Sequence, residues 1–514
     1  MSFSVAGVLR QWADRTPDRP MLTYQGKTVT WAEQHARSSQ VAQALLAEGV
    51  GPGDRVAFLD KNGPEYFEVA FGAAKINAVL VAVNWRLNPA EMAWVINDAE
   101  SKVLFAGPEF ADHVAGFESQ LTTVKKIVRL ADNYHGWMGC HPADDPGFVA
   151  KPNDVAMQLY TSGTTGLPKG AMLTNTNLGG LMVEGAKELE IGDGSVSMVA
   201  MPLFHIGGSG WALLGISSGA HTVVIREVDP VAILDAIERH GVTHAFIVPA
   251  AIMFLLAAPQ CTSTDFSSLR CLSYGASPIS EKVLSQALEA FGCQFVQLYG
   301  LTETTGAITL LRAAEHDPDN GHPERLRSCG VPFSHVELRV VDLETGQDQP
   351  PGVPGELWTR SSQNMKGYWH NDEATAATIT SDGWLKTGDV AYLDDDGFVF
   401  LHDRVKDMIV SGGENIYPAE VENALMAHPA VADVAVIGVP DDKWGETVKA
   451  CVVKATGSEM TAQELIDFAR ERIARYKCPR SVDFVALLPR NPSGKILKRE
   501  LRQPYWEAAE RQIH

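Results

Sequence analysis

Over roughly the first 300 residues, short apolar runs alternate with longer stretches in which apolar residues recur at helical spacing. DRVAFLD (Asp54–Asp60), NAVLVAVN (Asn77–Asn84), KVLFAG (Lys102–Gly107) and KKIVRLA (Lys125–Ala131) predict buried strands, and the intervening PEYFEVAFGAAKI and PAEMAWVINDAE predict helices. The pattern resumes with HTVVIR (His221–Arg226), THAFIVP (Thr243–Pro249), RCLSYG (Arg270–Gly275) and QFVQLYG (Gln294–Gly300). Such alternation predicts an α/β fold with layers around largely parallel sheet, in which ligands gather at the carboxyl ends of strands. The loops beginning at Gly275 and at Gly300 follow strands in this way. Beyond about residue 335, VELRVVD, GELWTR and GFVFLHD are separated by Gly, Pro and Asp turns and predict a β-rich subdomain, roughly 335–403. The remainder reads as a small α+β unit, with a helix at PAEVENALMAHP, strands at ADVAVIGVP and VKACVVK, and a later helix opened by the capping box Thr461-Ala-Gln-Glu464. The boundary falls near Asp403–Asp407.

Length agrees with this division, because 514 residues are too many for one compact core. A composition of 45% hydrophobic and 21% charged residues is that of a globular protein and excludes extensive disorder. The formal charge of −20 repels phosphate backbones and anionic lipid, so neither nucleic acid nor a membrane surface is expected as the main partner. A nucleotide ligand would need a local amide-lined or basic pocket. Seven cysteines without CxxC or metal-ligand spacing predict reduced, buried thiols in a cytoplasmic protein, with neither a disulfide framework nor a zinc site. The start, MSFSVAGVLRQWADRTPDRP, is amphipathic and unlike a signal peptide. The most apolar stretch, Ala245–Ala258, is short for a membrane span and carries Pro249, so it predicts buried core and no integral membrane segment.

The densest candidate chemistry is Tyr160-Thr-Ser-Gly-Thr-Thr-Gly-Leu-Pro-Lys-Gly170. Its three glycines let the backbone turn sharply and present N–H groups to an anion. Thr161, Ser162, Thr164 and Thr165 add hydroxyls, and Lys169 adds a positive charge. The combination suits a triphosphate, although the Gly-Lys-Ser/Thr ending of a Walker A loop is absent.

This segment resembles the phosphate-loop signature of the adenylate-forming superfamily, which includes acyl-CoA synthetases, peptide-synthetase adenylation domains and beetle luciferases. Further motifs agree in order: Tyr299-Gly-Leu-Thr-Glu303, Lys386-Thr-Gly-Asp389, Asp403-Arg-Val-Lys-Asp407 followed by SGGENIYPAEVE, and Pro492-Ser-Gly-Lys495. The resemblance implies an N-terminal domain 1–403, a hinge 404–406 about Lys406, and a mobile C-terminal lid 407–514. It implies ATP or AMP contacts from Thr161, Ser162, Gly163, Thr164, Thr165, Gly166, Lys169, Gly275, Ala276, Tyr299, Gly300, Thr302, Asp389, Arg404 and Lys495. Within that set, Tyr299 would face adenine, Thr302 the α-phosphate, and Asp389 the ribose hydroxyls. Glu303 with Thr161 would hold Mg²⁺, a hard cation that takes oxygen ligands and bridges phosphates. Lys495 would be the catalytic cation that stabilises charge while a carboxylate attacks the α-phosphorus. His205 would position and gate the acyl and thiol sites, and Ser411, Gly412 and Gly413 would line the CoA tunnel.

The implied activity is that of an AMP-forming acyl-CoA synthetase, taking ATP, a carboxylic acid and CoA. Gly207, Gly208, Trp211, Val248 and Gly306 are the expected acyl pocket, whose small apolar lining without a fixed cation suits a hydrophobic tail. A medium- or long-chain fatty acid is the first expectation and an aryl or alicyclic acid the second. An amine acceptor, giving an amide synthetase, remains the alternative, and a homodimer is left open. The chain's end soon after the lysine motif disfavours a peptide-synthetase module.

Overall fold

The computed structural model describes residues 3–161, 168–277, 279, 281–317, 321–411, 414–441, 443–490 and 496–510. Its contacts divide the chain into two compact units, residues 1–337 with 359–385, and residues 338–358 with 386–514.

The first unit holds two large sheets. In one, strand Arg55–Leu59 lies between Val79–Ala82 and Ser101–Ala106, all parallel, with Lys126–Arg129 at one edge. Beyond Val79–Ala82 come Val155–Thr161, Lys169–Thr174 and Gly367–Tyr368. The last two pairings are antiparallel. Val56, Ala57 and Leu59 are fully buried, because helices cover both faces of such a sheet and its strands read as unbroken apolar runs. The helix Pro89–Asp98 begins where it does because Asn88 and Glu91 cap each other and Pro89 occupies the first turn. The second sheet has nine strands and centres on parallel Cys271–Gly275, His244–Phe246, Val196–Val199 and His221–Val224. Gln294–Leu301 joins Cys271–Gly275 in parallel and turns back, antiparallel, as Gly306–Leu311.

The second unit carries most of a four-stranded sheet, ordered Glu337–Val341, Gly355–Arg360, Leu385–Leu393 and Val399–Arg404. It also carries a five-stranded sheet built on the long antiparallel pair Val431–Asp441 and Gly445–Lys454. Helices Pro418–Met426 and Ala462–Arg470 supply Val421, Leu425, Leu465 and Ala469 to the apolar core of that unit. The capping box at Thr461 forms, with Glu464 accepting from the Thr461 N–H at 2.8 Å.

Three expectations need correction. THAFIVP yields only the strand His244–Phe246, since Pro249 opens a helix, Pro249–Ala257. That helix is not uniformly buried core: Leu255 is 1% exposed, but Met253 and Phe254 are 52% and 60% exposed. Of the cysteines, Cys140, at a helix end, is exposed, and Cys293, just before a strand, is half-buried.

Candidate active site

Two paired strands flank the glycine- and hydroxyl-rich segment. Strand Val155–Thr161 leads out, Lys169–Thr174 returns antiparallel, and Thr161 pairs with Lys169 in register. Ser162, Gly163, Thr164, Thr165 and Gly166 lie outside the described residues. The root of the hairpin is anchored from the side. Tyr160 Oη donates to Asp98 Oδ2 at 2.5 Å and accepts from Gln158 Nε2 at 3.1 Å. Burial, followed by the neighbouring Asp98 carboxylate, pushes the Tyr160 phenol far above its ordinary range, so it stays a donor.

Glu303 stands on the turn between Gln294–Leu301 and Gly306–Leu311. Thr304 and Thr305 in that turn are fully buried, and Thr305 adopts a positive φ of 56°. Thr304 Oγ1 accepts from the Leu301 N–H and donates to the Gly306 carbonyl, both at 2.8 Å. A remote segment, 361–369, then fastens the turn. Gln363 Nε2 donates to the carbonyls of Ala307 at 2.9 Å and Thr304 at 3.3 Å, while Thr305 Oγ1 donates to the Gln363 carbonyl at 2.6 Å. Met365 N–H donates to the Glu303 carbonyl at 2.8 Å. The same segment continues as Gly367–Tyr368, with Tyr368 opposite Ala171 on the returning hairpin strand. Tyr368 Oη donates to Glu303 Oε1 at 2.8 Å, and Thr161 Oγ1 approaches the same oxygen at 3.3 Å. Lys169 Nζ lies 5.2 Å from the Tyr368 ring centroid. Thr161, Lys169 and Glu303 are thus brought together across two sheets. Gln363 and Tyr368 were not singled out by the sequence pattern; the aromatic pair behind a glycine at 367–369 is the signal that points to them.

Of the residues expected on the adenine side, Gly275 and Gly300 stand at or near the ends of their strands. Gly275 closes Cys271–Gly275, and a Cβ there would come 2.0 Å from the Leu298 carbonyl, so the close approach of the next strand requires glycine. Gly300 is held likewise, 1.9 Å from the Gly306 carbonyl by the same construction, and Ala276 has φ +65°. Tyr299 is buried in strand Gln294–Leu301, and Thr302 follows that strand half-buried.

His205 and the helix that follows it stand among mostly apolar side chains, with the charge of Arg86 acting on the ring. His205 precedes helix Ile206–Ser217, with its ring 4.4 Å from that of Phe204. Asn62 fixes the preceding loop, donating to the Met201 carbonyl and accepting from Leu203 N–H, each at 3.0 Å. Burial, with the Arg86 charge second, lowers the His205 pKa to about 4. The ring is therefore neutral at pH 7, and its buried Nε2 has no hydrogen-bond partner among the described residues. Gly207 faces the Phe246 ring and Gly306 faces Leu181, whereas a Cβ at Gly208 would strike the Pro202 carbonyl at 2.1 Å. Gly208 therefore serves the turn into the helix. Trp211 donates from Nε1 to the Met198 carbonyl and lies 6.0 Å from the Phe246 ring, and Val248 caps the helix Pro249–Ala257.

In the second unit, Asp389 lies within strand Leu385–Leu393 and is 6% exposed. It pairs in register with Arg404 at the end of Val399–Arg404. Lys406 belongs to the short turn Val405–Asp407, and Ser411 ends strand Ile409–Ser411 opposite Glu414. Gly412, Gly413 and Lys495 lie outside the described residues.

Residues 9–369 match the AMP-binding enzyme family, and residues 420–495 match the AMP-binding enzyme C-terminal domain. The chain belongs to the adenylate-forming superfamily. It is 39% identical to the fatty acid–[acyl-carrier-protein] ligase ScoC of Streptomyces coeruleorubidus, over 98% of this chain and 96% of that one. It is 40% identical to a feruloyl-CoA synthase of an Amycolatopsis species, over 96% and 97% of the two chains. Among solved structures it is similar to the amide bond synthetase McbA from Marinactinospora thermotolerans, with a TM-score of 0.88, 30% identity and 98% and 100% coverage. The mixed α/β architecture, with a large N-terminal and a small C-terminal part, is that of the superfamily.

Mg²⁺ has a fitting place here. Among the described residues no cluster of three or more His, Cys, Asp or Glu could cage a metal, but Glu303 offers a carboxylate beside Thr161 at the end of its strand. One carboxylate completed by phosphate oxygens and water is how Mg²⁺ is commonly held in nucleotide sites. No helix among the described residues is long and apolar enough to cross a membrane.

Proposed function

We propose that this AMP-forming acid–thiol ligase activates a hydrophobic carboxylic acid with ATP and transfers it to coenzyme A. A carboxylate oxygen attacks the α-phosphorus and pyrophosphate leaves; the CoA thiolate then attacks the acyl carbon and AMP leaves. The observation that carries this reading is the convergence of Thr161, Lys169 and Glu303 at the phosphate hairpin of an AMP-binding enzyme. Bound Mg²⁺ would neutralise triphosphate charge next to Glu303. Lys169 would meet the phosphates, Thr302 the α-phosphate, Tyr299 and the Gly275–Ala276 strand end the adenine, and Asp389 with Arg404 the ribose. Lys495 would stabilise the developing charge of the first step, since two anions meet there. Lys406 would be the pivot that exchanges Lys495 for the thiol-lining Ser411–Gly413 loop between the two steps. His205, buried and neutral, is suited to shape the acyl channel rather than to relay protons.

The acid is a fatty acid or an aryl acid; the apolar walls at Phe246, Leu181 and Trp211 support either. The three proteins above are named for three products, an acyl carrier protein conjugate, a CoA ester and an amide bond, and the cysteine pattern suits the reducing cytoplasm. A panel of carboxylic acids scored by pyrophosphate release, with and without CoA, tests the reading. Turnover should require CoA, and Lys495→Ala should abolish acyl-AMP formation while sparing thioester formation from supplied acyl-AMP. Pyrophosphate release that an amine accelerates and CoA does not would establish the amide-forming alternative.

A further inference from the structure

The Glu303 carboxylate has two oxygens in unlike surroundings. Oε1 accepts from Tyr368 Oη and lies within reach of Thr161 Oγ1, whereas no hydrogen bond reaches Oε2 among the described residues. A carboxylate on a surface turn would rotate freely between its two oxygens; this one is pinned through a single atom, so the other keeps a fixed direction. The pin comes from a rigid source. Tyr368 is 7% exposed, its N–H donates to Thr375 Oγ1 at 2.9 Å, and its neighbours Lys366 and Trp369 donate from their N–H groups to Met172 and Gly170 on the hairpin. The backbone of Glu303 is fastened by Met365, three residues before Tyr368. One short stretch thus fixes the main chain of Glu303, one oxygen of its side chain, and the hairpin strand that carries Lys169.

We propose that Tyr368 is a positioning residue of the adenylation site, whose hydroxyl locks Glu303 Oε1 so that Oε2 is held ready for the cation accompanying the nucleotide. The proposal rests on the adenylation reading given above. The physical reason is that Mg²⁺ demands near-ideal octahedral geometry, so a pre-oriented oxygen gains more than a freely rotating one. The Tyr368 ring meanwhile presents its face to Lys169, restricting where that cation can swing.

Tyr368→Phe removes the hydroxyl and keeps the ring. Calorimetric binding of a non-hydrolysable ATP analogue, titrated across Mg²⁺ concentration, should show the half-saturating Mg²⁺ raised about tenfold, as expected for losing one hydrogen bond to a charged group. Binding of the analogue in chelator should be unchanged, as should the thermal midpoint without nucleotide. In a Glu303→Gln background the same change should add no further Mg²⁺ dependence. An unmoved Mg²⁺ titration in Tyr368→Phe, or equal weakening with and without Mg²⁺, would overturn the positioning role while leaving adenylation intact. A wild-type chain that neither binds the analogue in a Mg²⁺-dependent way nor releases pyrophosphate would overturn the adenylation reading, and the proposal with it.

Discussion

The surroundings of Glu303 and of His205 are built on opposite plans. On the turn that bears Glu303, buried carbonyls and hydroxyls are matched to named partners: Gln363 to Thr304 and Ala307, Thr305 to Gln363, Tyr368 to Glu303. Beside His205 stands Phe204, the glycines of the stretch meet Phe246 and Leu181, Arg86 is the one charge that acts on the ring, and the buried Nε2 has no partner among the described residues. A buried polar group left unmatched costs about 1–3 kcal/mol, so a polar region tolerates few residue types at each position. An apolar wall needs only roughly the right volume. The difference teaches why a nucleotide site can be recognised from a dozen letters while the acid it activates cannot.

The contrast can be broken most severely at Gln363. Gln363→Ala would orphan two buried carbonyls and the His335 contact, and should cost about 3 kcal/mol of stability, with pyrophosphate release falling in parallel. Denaturant melts and turnover on the same preparation check this; a loss below about 1 kcal/mol would show that the turn holds itself.

His205 sharpens the other side. Its folded pKa of about 4 lies below the ordinary 6.5, so the unfolded chain binds the proton first as pH falls. The stability His205 contributes is full above pH 6.5 and is lost progressively between 6.5 and 4. Between pH 7 and 5 that amounts to about 2 kcal/mol. His205→Phe should therefore lose about 2 kcal/mol less than the wild type over that interval. His316, also lowered to about 4 by burial, supplies a parallel slope that the variant retains. Identical pH slopes in wild type and variant would mean that His205 is solvated.

The smallest effect is expected on the helix Pro249–Ala257. Phe254→Ser should change stability by less than about 0.5 kcal/mol because the side chain already faces water, whereas Leu255→Ser should cost several times more. Paired melts decide it, and equal losses would place both side chains in the core.

That helix also shows where sequence reading runs out. AFIVPAAIMFLLAA is apolar all round, so no periodicity marks Met253 and Phe254 as the outward face. The apolar runs 56–59 and 103–106 were legible because strands covered on both faces leave few polar positions. Leu385–Leu393 escaped notice because Lys386-Thr-Gly-Asp389 places polar and glycine residues in mid-strand. Within the candidate site, Glu303, Thr161 and Lys169 announced themselves through local motifs. Their supports did not, since Gln363 and Tyr368 lie some sixty residues along the chain from the turn they hold, a separation that only a folded contact can bridge.

The strand Gly367–Tyr368 completes a sheet whose first strand, Arg55–Leu59, is encoded more than three hundred residues earlier, and residues 338–358 of the other unit are spelled out in between. During synthesis at roughly 5–20 residues per second, the strand pair Val155–Thr161 and Lys169–Thr174 must wait on the order of ten seconds or more after its own emergence for its edge strand to arrive. For that interval strand Lys169–Thr174 is an open edge on a nascent chain, the kind of surface that chaperones cover and that aggregates form on. Fragments ending before residue 369 would keep that edge permanently bare, so yield on expression should depend on where such a fragment stops.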